Sequence, residues 1–176
     1  HVLKMPETSV HGEIKPAPYF PLNPVSAEDK ALCAKAEAEG ERLLRAGKVA
    51  ALTVAGGQGT RLGYDGPKGT YKIMPVTGKT FFQYFAESIK RISEKYGHEL
   101  KWYIMTSQMN NAQTIGFFRE NNYFGLKESS VFFFIQGTMP AIDYSGKILL
   151  GTKSSLALSP DGHGGTLLAL KNSGAL

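Results

Sequence analysis

Cysteine is almost missing from this chain. A single thiol, Cys33, excludes a disulfide framework and any metal centre built on several thiolates. So few thiols suit a cytosolic setting. No run of about 18 apolar residues occurs, so no membrane-spanning helix is expected. Charge of one sign never accumulates either. Net charge is +5, from 20 Lys+Arg against 15 Asp+Glu, with no Lys/Arg run and no basic helix face. Basic residues are not interleaved with aromatics along a stripe, so nucleic acid is not an expected partner. His1, His11, His98 and His163 lack metal-ligand spacing, and no protein-borne metal site is expected. The chain begins at His1 without a charged-then-apolar leader, and its start is expected to be trimmed.

What is present is the composition of a soluble globular domain, 42% hydrophobic and 11% aromatic over 176 residues. Its positive excess is local. Residues 1–50 are neutral, with 7 basic and 7 acidic side chains, whereas residues 51–100 carry 7 and 4. Glycine concentrates in the same block: six of the fourteen residues from Gly56 to Gly69. Glycine costs backbone entropy, so this density predicts tight turns or close backbone approach to a ligand.

Five prolines in the first 25 residues predict an extended arm. Ser26 and Asp29 form a capping-box pattern that opens a helix over 27–46, with a possible break at Gly40. Val49–Ala55 is continuous and apolar, as in a buried parallel strand. Tyr71–Val76 reads as a short extended piece. Apolar residues at 81, 82, 85, 89, 92 and 96 predict a helix over Thr80–Tyr96. Lys101–Thr106 and Val131–Gln136 read as further strands and Asn111–Glu120 as a helix. Asp143-Tyr-Ser-Gly146 marks a hairpin. A second glycine turn, Ser159–Gly165, precedes a helix beginning at Thr166, with Asp161 a candidate cap. This alternation predicts an α/β fold on a right-handed βαβ sheet. The division expected is an arm and helix over 1–48, then the N-terminal half of a nucleotide-binding domain over 49–176. The chain stops just after a helix begins and is expected to be incomplete at its C-terminal end.

A buried strand running into glycines places backbone N–H groups at the carboxyl edge of a parallel sheet, where α/β proteins bind ligands. Arg61 offers a planar fork to phosphate oxygens and Lys68 a point charge. The combination suits a nucleoside triphosphate. A Walker A loop is excluded, because no start position gives Gly-Lys-Ser/Thr at the required spacing. A G-x-G-x-x-G dinucleotide fingerprint fails too: Gly57 and Gly59 are followed by Leu62, and Gly63 falls one residue late. That argues against half of a Rossmann dehydrogenase.

Val54-Ala-Gly-Gly-Gln-Gly-Thr-Arg-Leu-Gly63 with Pro67-Lys-Gly69 resembles the signature of the UDP-sugar pyrophosphorylase family. Within it the chain is most similar to the UDP-N-acetylglucosamine pyrophosphorylases of eukaryotic type and their bacterial relatives. The similarity continues through Trp102–Ser107, Phe134–Ala141 and Ser159–Gly165, four matches in order from about residue 26 onward. The resemblance implies a Rossmann-like mixed sheet of the nucleotidyltransferase, glycosyltransferase-A-like type. It implies that backbone of Thr53, Gly56 and Gly57 lies near uridine. Gly59, Thr60 and Arg61 would then lie near the triphosphate, with Lys68 on phosphate. Gln136 matches the family glutamine that reads uracil, and Gly162 with position 163 touches uracil and ribose. The chain departs at that position, carrying His163 where the eukaryotic enzymes usually have Asn.

The implied reaction joins UTP to a sugar 1-phosphate, releasing pyrophosphate, with Arg61 and Lys68 as the catalytic cations and Mg2+ on the phosphates. N-acetylglucosamine 1-phosphate is favoured by closeness of motif; glucose 1-phosphate or a broad sugar range is the alternative. The family's metal aspartate and sugar-binding residues lie beyond these 176 residues. A non-catalytic nucleotide-binding fragment is therefore the competing class.

Overall fold

The computed structural model describes residues 12–175, and the first part of the proline-rich arm, with Pro6, lies outside them. Two compact units result. One joins the residues through Arg42 with Pro140–Ala157; the other joins Leu43–Met139 with the chain from Leu158 onward.

The second unit is built on three parallel strands in the order β1 (Ala50–Val54), β2 (Lys101–Thr106), β3 (Val131–Ile135). Ala50 pairs with Lys101, and Trp102 with Val131. Parallel neighbours need crossover connections. Helix α2 (Phe81–Tyr96) lies between β1 and β2, and α3 (Asn111–Glu120) between β2 and β3. Thr80 caps α2 by accepting from Gln83 N–H at 3.1 Å, and Gly97 closes it in the left-handed conformation at φ 69°. Alternation along the strands feeds two cores. On one face Phe82, Ala86 and Ile89 of α2 and Phe118 of α3 pack on Trp102 and Ile104. On the other, Tyr103, Met105 and Phe134 pack with Leu170 of α4 (Thr166–Asn172). The consecutive Phe132, Phe133 and Phe134 thus serve both faces. Phe82, Trp102 and Phe118 meet edge to face, with centroids 5.0–6.4 Å apart, each pair contributing about 0.5–1.5 kcal/mol beyond area burial. The Trp102 indole N–H donates to Thr53 Oγ1 at 2.9 Å, satisfying the one polar atom buried there.

β2 is buried from Trp102 to Thr106, as its apolar run predicts. β1, expected to be buried, is an edge strand, and Leu52 and Val54 are 46% and 40% exposed. Tyr71–Val76 forms no strand. Lys72 makes a single bridge to Thr80 because the chain turns at Pro75–Gly78, where Gly78 N–H bonds Met74 C=O.

In the first unit, helix α1 (Ala27–Arg45) begins there and runs unbroken through Gly40. Ser26 Oγ accepts from Asp29 N–H at 3.0 Å and donates to its carboxylate at 2.7 Å, as the capping pattern predicts. Asp143 Oδ1 gathers the Ser145 and Lys147 N–H groups into the expected turn, followed by antiparallel β5 (Leu150–Thr152) and β6 (Ser155–Leu156). Short β4 (Thr138–Pro140) pairs with β7 (Leu158–Pro160). The three-stranded sheet is parallel throughout, and β5 and β6 form a separate antiparallel ladder. No helix among the described residues is long and apolar enough to cross a membrane.

Candidate functional site

A cavity of about 520 Å³ opens at the carboxyl edge of the parallel sheet. The end of β1, the first glycine loop, the start of α2, the residue after β3 and the turn before α4 line it. Of the sequence candidates it gathers Thr53, Gly56, Gly57, Lys68, Gln136, Gly162 and His163. Lys68 is its only Lys or Arg, and no carboxylate lines it among the described residues, so the cavity is suited to an anion.

The loop between β1 and α2 folds back on itself. Gly59 N–H bonds Gly66 C=O at 2.9 Å, and Lys68 N–H bonds Gly57 C=O at 3.1 Å. Between these strands of loop sits the Tyr64 ring. A Cβ at Gly59 would lie 2.7 Å from Tyr64 Cδ1, and one at Gly66 2.9 Å from Tyr64 Cε1. The Tyr64 hydroxyl pairs with Thr70 Oγ1 at 2.7 Å, which also bonds Pro67 C=O at 2.8 Å. A Cβ at Gly69 would collide with the Phe82 ring, and one at Gly56 would meet Gln136 Oε1 at 2.7 Å. Four of the six glycines therefore make room for this protein's own side chains. Of the six, Gly57 and Gly63 face open space. The density that suggested ligand approach is in larger part the packing of Tyr64, Phe82 and Gln136.

This loop packing separates the candidates. Gly59 is buried against Tyr64, and Thr60 and Arg61 are exposed on a short 3-10 turn (Thr60–Leu62); none of the three lines the cavity. Lys68 starts a second 3-10 turn (Lys68–Thr70) and is exposed at the cavity wall. Thr53 turns its hydroxyl towards Trp102, so it is positioned by a side-chain bond to the core. Gln136 is 9% exposed, its N–H bonded to Thr106 C=O at 2.8 Å and its amide lying over Gly56.

Gly162 takes φ 77°, which favours glycine, and turns the chain towards α4. Asp161 does not cap that helix. Its N–H bonds Gly137 C=O at 3.1 Å, and its carboxylate lies where a Cβ on Gly137 or Gly165 would have to go. It fastens the turn to the end of β3 instead, and no side-chain cap bond forms at Gly162 or Gly165.

Sequence reading missed two groups. Phe81, Phe82 and Phe85, which the sequence marks as part of the apolar face of a helix, all line the cavity as well. Asn110, at the start of α3, holds the loop: its amide N–H donates to Ala55 C=O at 2.9 Å and to Gly57 C=O at 3.4 Å. The run Ser107–Asn111 reads as helix-capping chemistry, and nothing in its spacing points to a loop 53 residues away. For a metal, the described residues offer no group of three or more His, Cys, Asp or Glu. Asp65 is exposed, as expected of a turn residue.

Residues 6–176 match the family model described as UTP–glucose-1-phosphate uridylyltransferase. The probable UDP-N-acetylglucosamine pyrophosphorylase of Schizosaccharomyces pombe is 39% identical over 93% of this chain and 36% of its own length. The UDP-N-acetylglucosamine pyrophosphorylase of Saccharomyces cerevisiae is 43% identical over 86% and 33%. Among solved structures, the Trypanosoma brucei uridine diphosphate N-acetylglucosamine pyrophosphorylase superposes with a TM-score of 0.72 at 34% identity. That superposition covers 82% of this chain and 30% of the other. The chain spans about a third of the length of the curated relatives it matches.

Proposed function

The chain belongs to the UTP–glucose-1-phosphate uridylyltransferase family, and from that membership we propose that it forms the nucleotide-binding part of a uridylyltransferase. The reaction joins UTP to a sugar 1-phosphate and releases pyrophosphate. N-acetylglucosamine 1-phosphate is the favoured acceptor, because the relatives at 39–44% identity carry that sugar in their names. The observation that carries the reading is the convergence of Gly56–Gly57, Lys68, Gln136 and Gly162–His163 on one cavity from three separate stretches of sequence.

In this reading the backbone of Thr53, Gly56 and Gly57 receives the uridine. The buried Gln136 amide can donate to a uracil carbonyl and accept from its N3–H. Gly162 and His163 close over base and ribose. The sugar phosphate oxygen is already an anion, so attack on the α-phosphorus needs no general base. Catalysis is then positioning and charge stabilisation. Lys68 holds charge at the α-phosphate. Arg61, with Thr60, reaches the outgoing pyrophosphate from the exposed 3-10 turn outside the cavity wall, and Gly59, its N–H bonded to Gly66 C=O, holds the base of that turn. Mg2+, if it enters with the triphosphate, would supply charge neutralisation there and would need few protein ligands. The scarcity of thiols supports a cytosolic setting.

A second reading, nucleotide binding without turnover, draws on the lack of a three-ligand acidic group among the described residues. Pyrophosphate release from UTP separates the two. Release with N-acetylglucosamine 1-phosphate exceeding that with glucose 1-phosphate supports the transferase and its sugar. UTP binding without release supports the second reading.

A further inference from the structure

Asn110 sits where it should cap α3 and does not. It is the N-cap residue of that helix, a position at which asparagine is among the best acceptors, yet its side chain makes no cap bond. The side chain is fully buried, at 0% exposure, and its amide is bonded at both ends. Oδ1 accepts from Ser107 N–H at 2.9 Å, within its own turn. Nδ2 donates to Ala55 C=O at 2.9 Å and Gly57 C=O at 3.4 Å, across to the glycine loop. Its neighbour Asn111 faces the sheet, accepting from Thr106 Oγ1 at 2.7 Å, so the turn that carries Asn110 is itself anchored to β2.

We propose that Asn110 is the positioning residue of the nucleotide loop. A trans peptide carries its N–H on the side opposite its C=O. Holding the Ala55 and Gly57 carbonyls on one buried amide therefore fixes the Gly56 and Gln58 N–H groups facing away from it. Ala55, Gly56 and Gly57 line the cavity. The loop start is thus shaped before any ligand arrives, and a ligand does not bear the cost of ordering it. This inference rests on the nucleotide reading for its ligand; for the loop it stands on geometry alone.

Asn110→Ser separates this role from a helical one. Serine can cap α3 but cannot reach Ala55. Asn110→Asp keeps the acceptor for Ser107 and sets a carboxylate against two carbonyls. Two measurements are made on this chain: amide hydrogen exchange by residue, and UTP affinity by calorimetry. Both variants should speed exchange by about tenfold or more at Gly59 and Lys68, whose N–H groups bond Gly66 C=O and Gly57 C=O across the loop, with α2 and β2 unchanged, because a buried bond is lost locally. Both should weaken UTP by a similar factor. Asn110→Ser with wild-type exchange and affinity overturns the proposal, as does faster exchange spread evenly through α3 and the sheet. If the unaltered chain binds no UTP, the nucleotide reading fails, and the exchange comparison alone decides the role of Asn110.

Discussion

The two glycine turns at this sheet edge look alike in sequence and are built differently. In the first, Gly56–Gly69, four of six glycines make room for Gln136, Tyr64 and Phe82, giving the loop a small core of its own. In the second, Pro160–Gly165, Gly162 and Gly164 face open space, and the turn is fastened through Asp161. Glycine count is therefore no measure of ligand contact. A glycine packed against a ring reports stability, and one facing open space beside a cavity reports binding.

Substitutions can break that distinction. The largest effect belongs to Lys68, exposed at the cavity wall with no packing role. Lys68→Ala should raise the barrier to uridylyl transfer by about 3 kcal/mol, on the scale of a lost electrostatic donor, with the melting temperature unchanged. Near-normal kcat/KM would remove Lys68 from the site. Next comes the pair within the first turn. Gly69→Ala drives a Cβ into Phe82 and should cost about 2 kcal/mol of stability in chemical denaturation, in the range of overpacked cores. Gly57→Ala should stay within about 0.5 kcal/mol of wild type while weakening UTP. If both lose stability alike, the loop has no separate core.

The second turn gives a smaller contrast. Gly165→Ala presses on the Asp161 carboxylate, which can shift, so about 1 kcal/mol is expected, with loss of UTP affinity. Gly164→Ala meets nothing and should be silent for stability. The smallest effect is distant. The Lys79 ammonium, hydrogen-bonded to Glu87 on α2, holds its carboxyl below the usual range, with help from Gln83. A depressed carboxyl contributes stability above its ordinary value of 4.5 that is lost as pH falls through the depressed one. Glu87→Gln should abolish that acid dependence, a few tenths of a kcal/mol for a solvent-screened, partly buried pair, read as melting temperature below about pH 4.5.

Local pattern carried much of this molecule. The helical spacing of six apolar residues in α2, its Thr80 and Gly97 ends and the Ser26–Asp29 capping box depend on neighbours in sequence, and the structure keeps them. The three cavity stretches were legible because each is a short run of backbone-permissive residues after a strand. What depends on order in space was hidden. β1 and β2 share an apolar signature, yet only β2 has a partner on each side, so β1 stays half open. The packing of Tyr64 was hidden because its partners are glycines, which leave no apolar pattern. The role of Asn110 was hidden because its partners lie 53 and 55 residues away.

The most direct test is a calorimetric titration of this chain with UTP and Mg2+, beside ATP and NAD, repeated on Gln136→Ala. A uracil-reading cavity binds UTP at least about tenfold more tightly than ATP, and Gln136→Ala weakens UTP by about tenfold, on the scale of one buried amide pair. Equal affinity for UTP and ATP in the unaltered chain, or a preference for NAD, would contradict it.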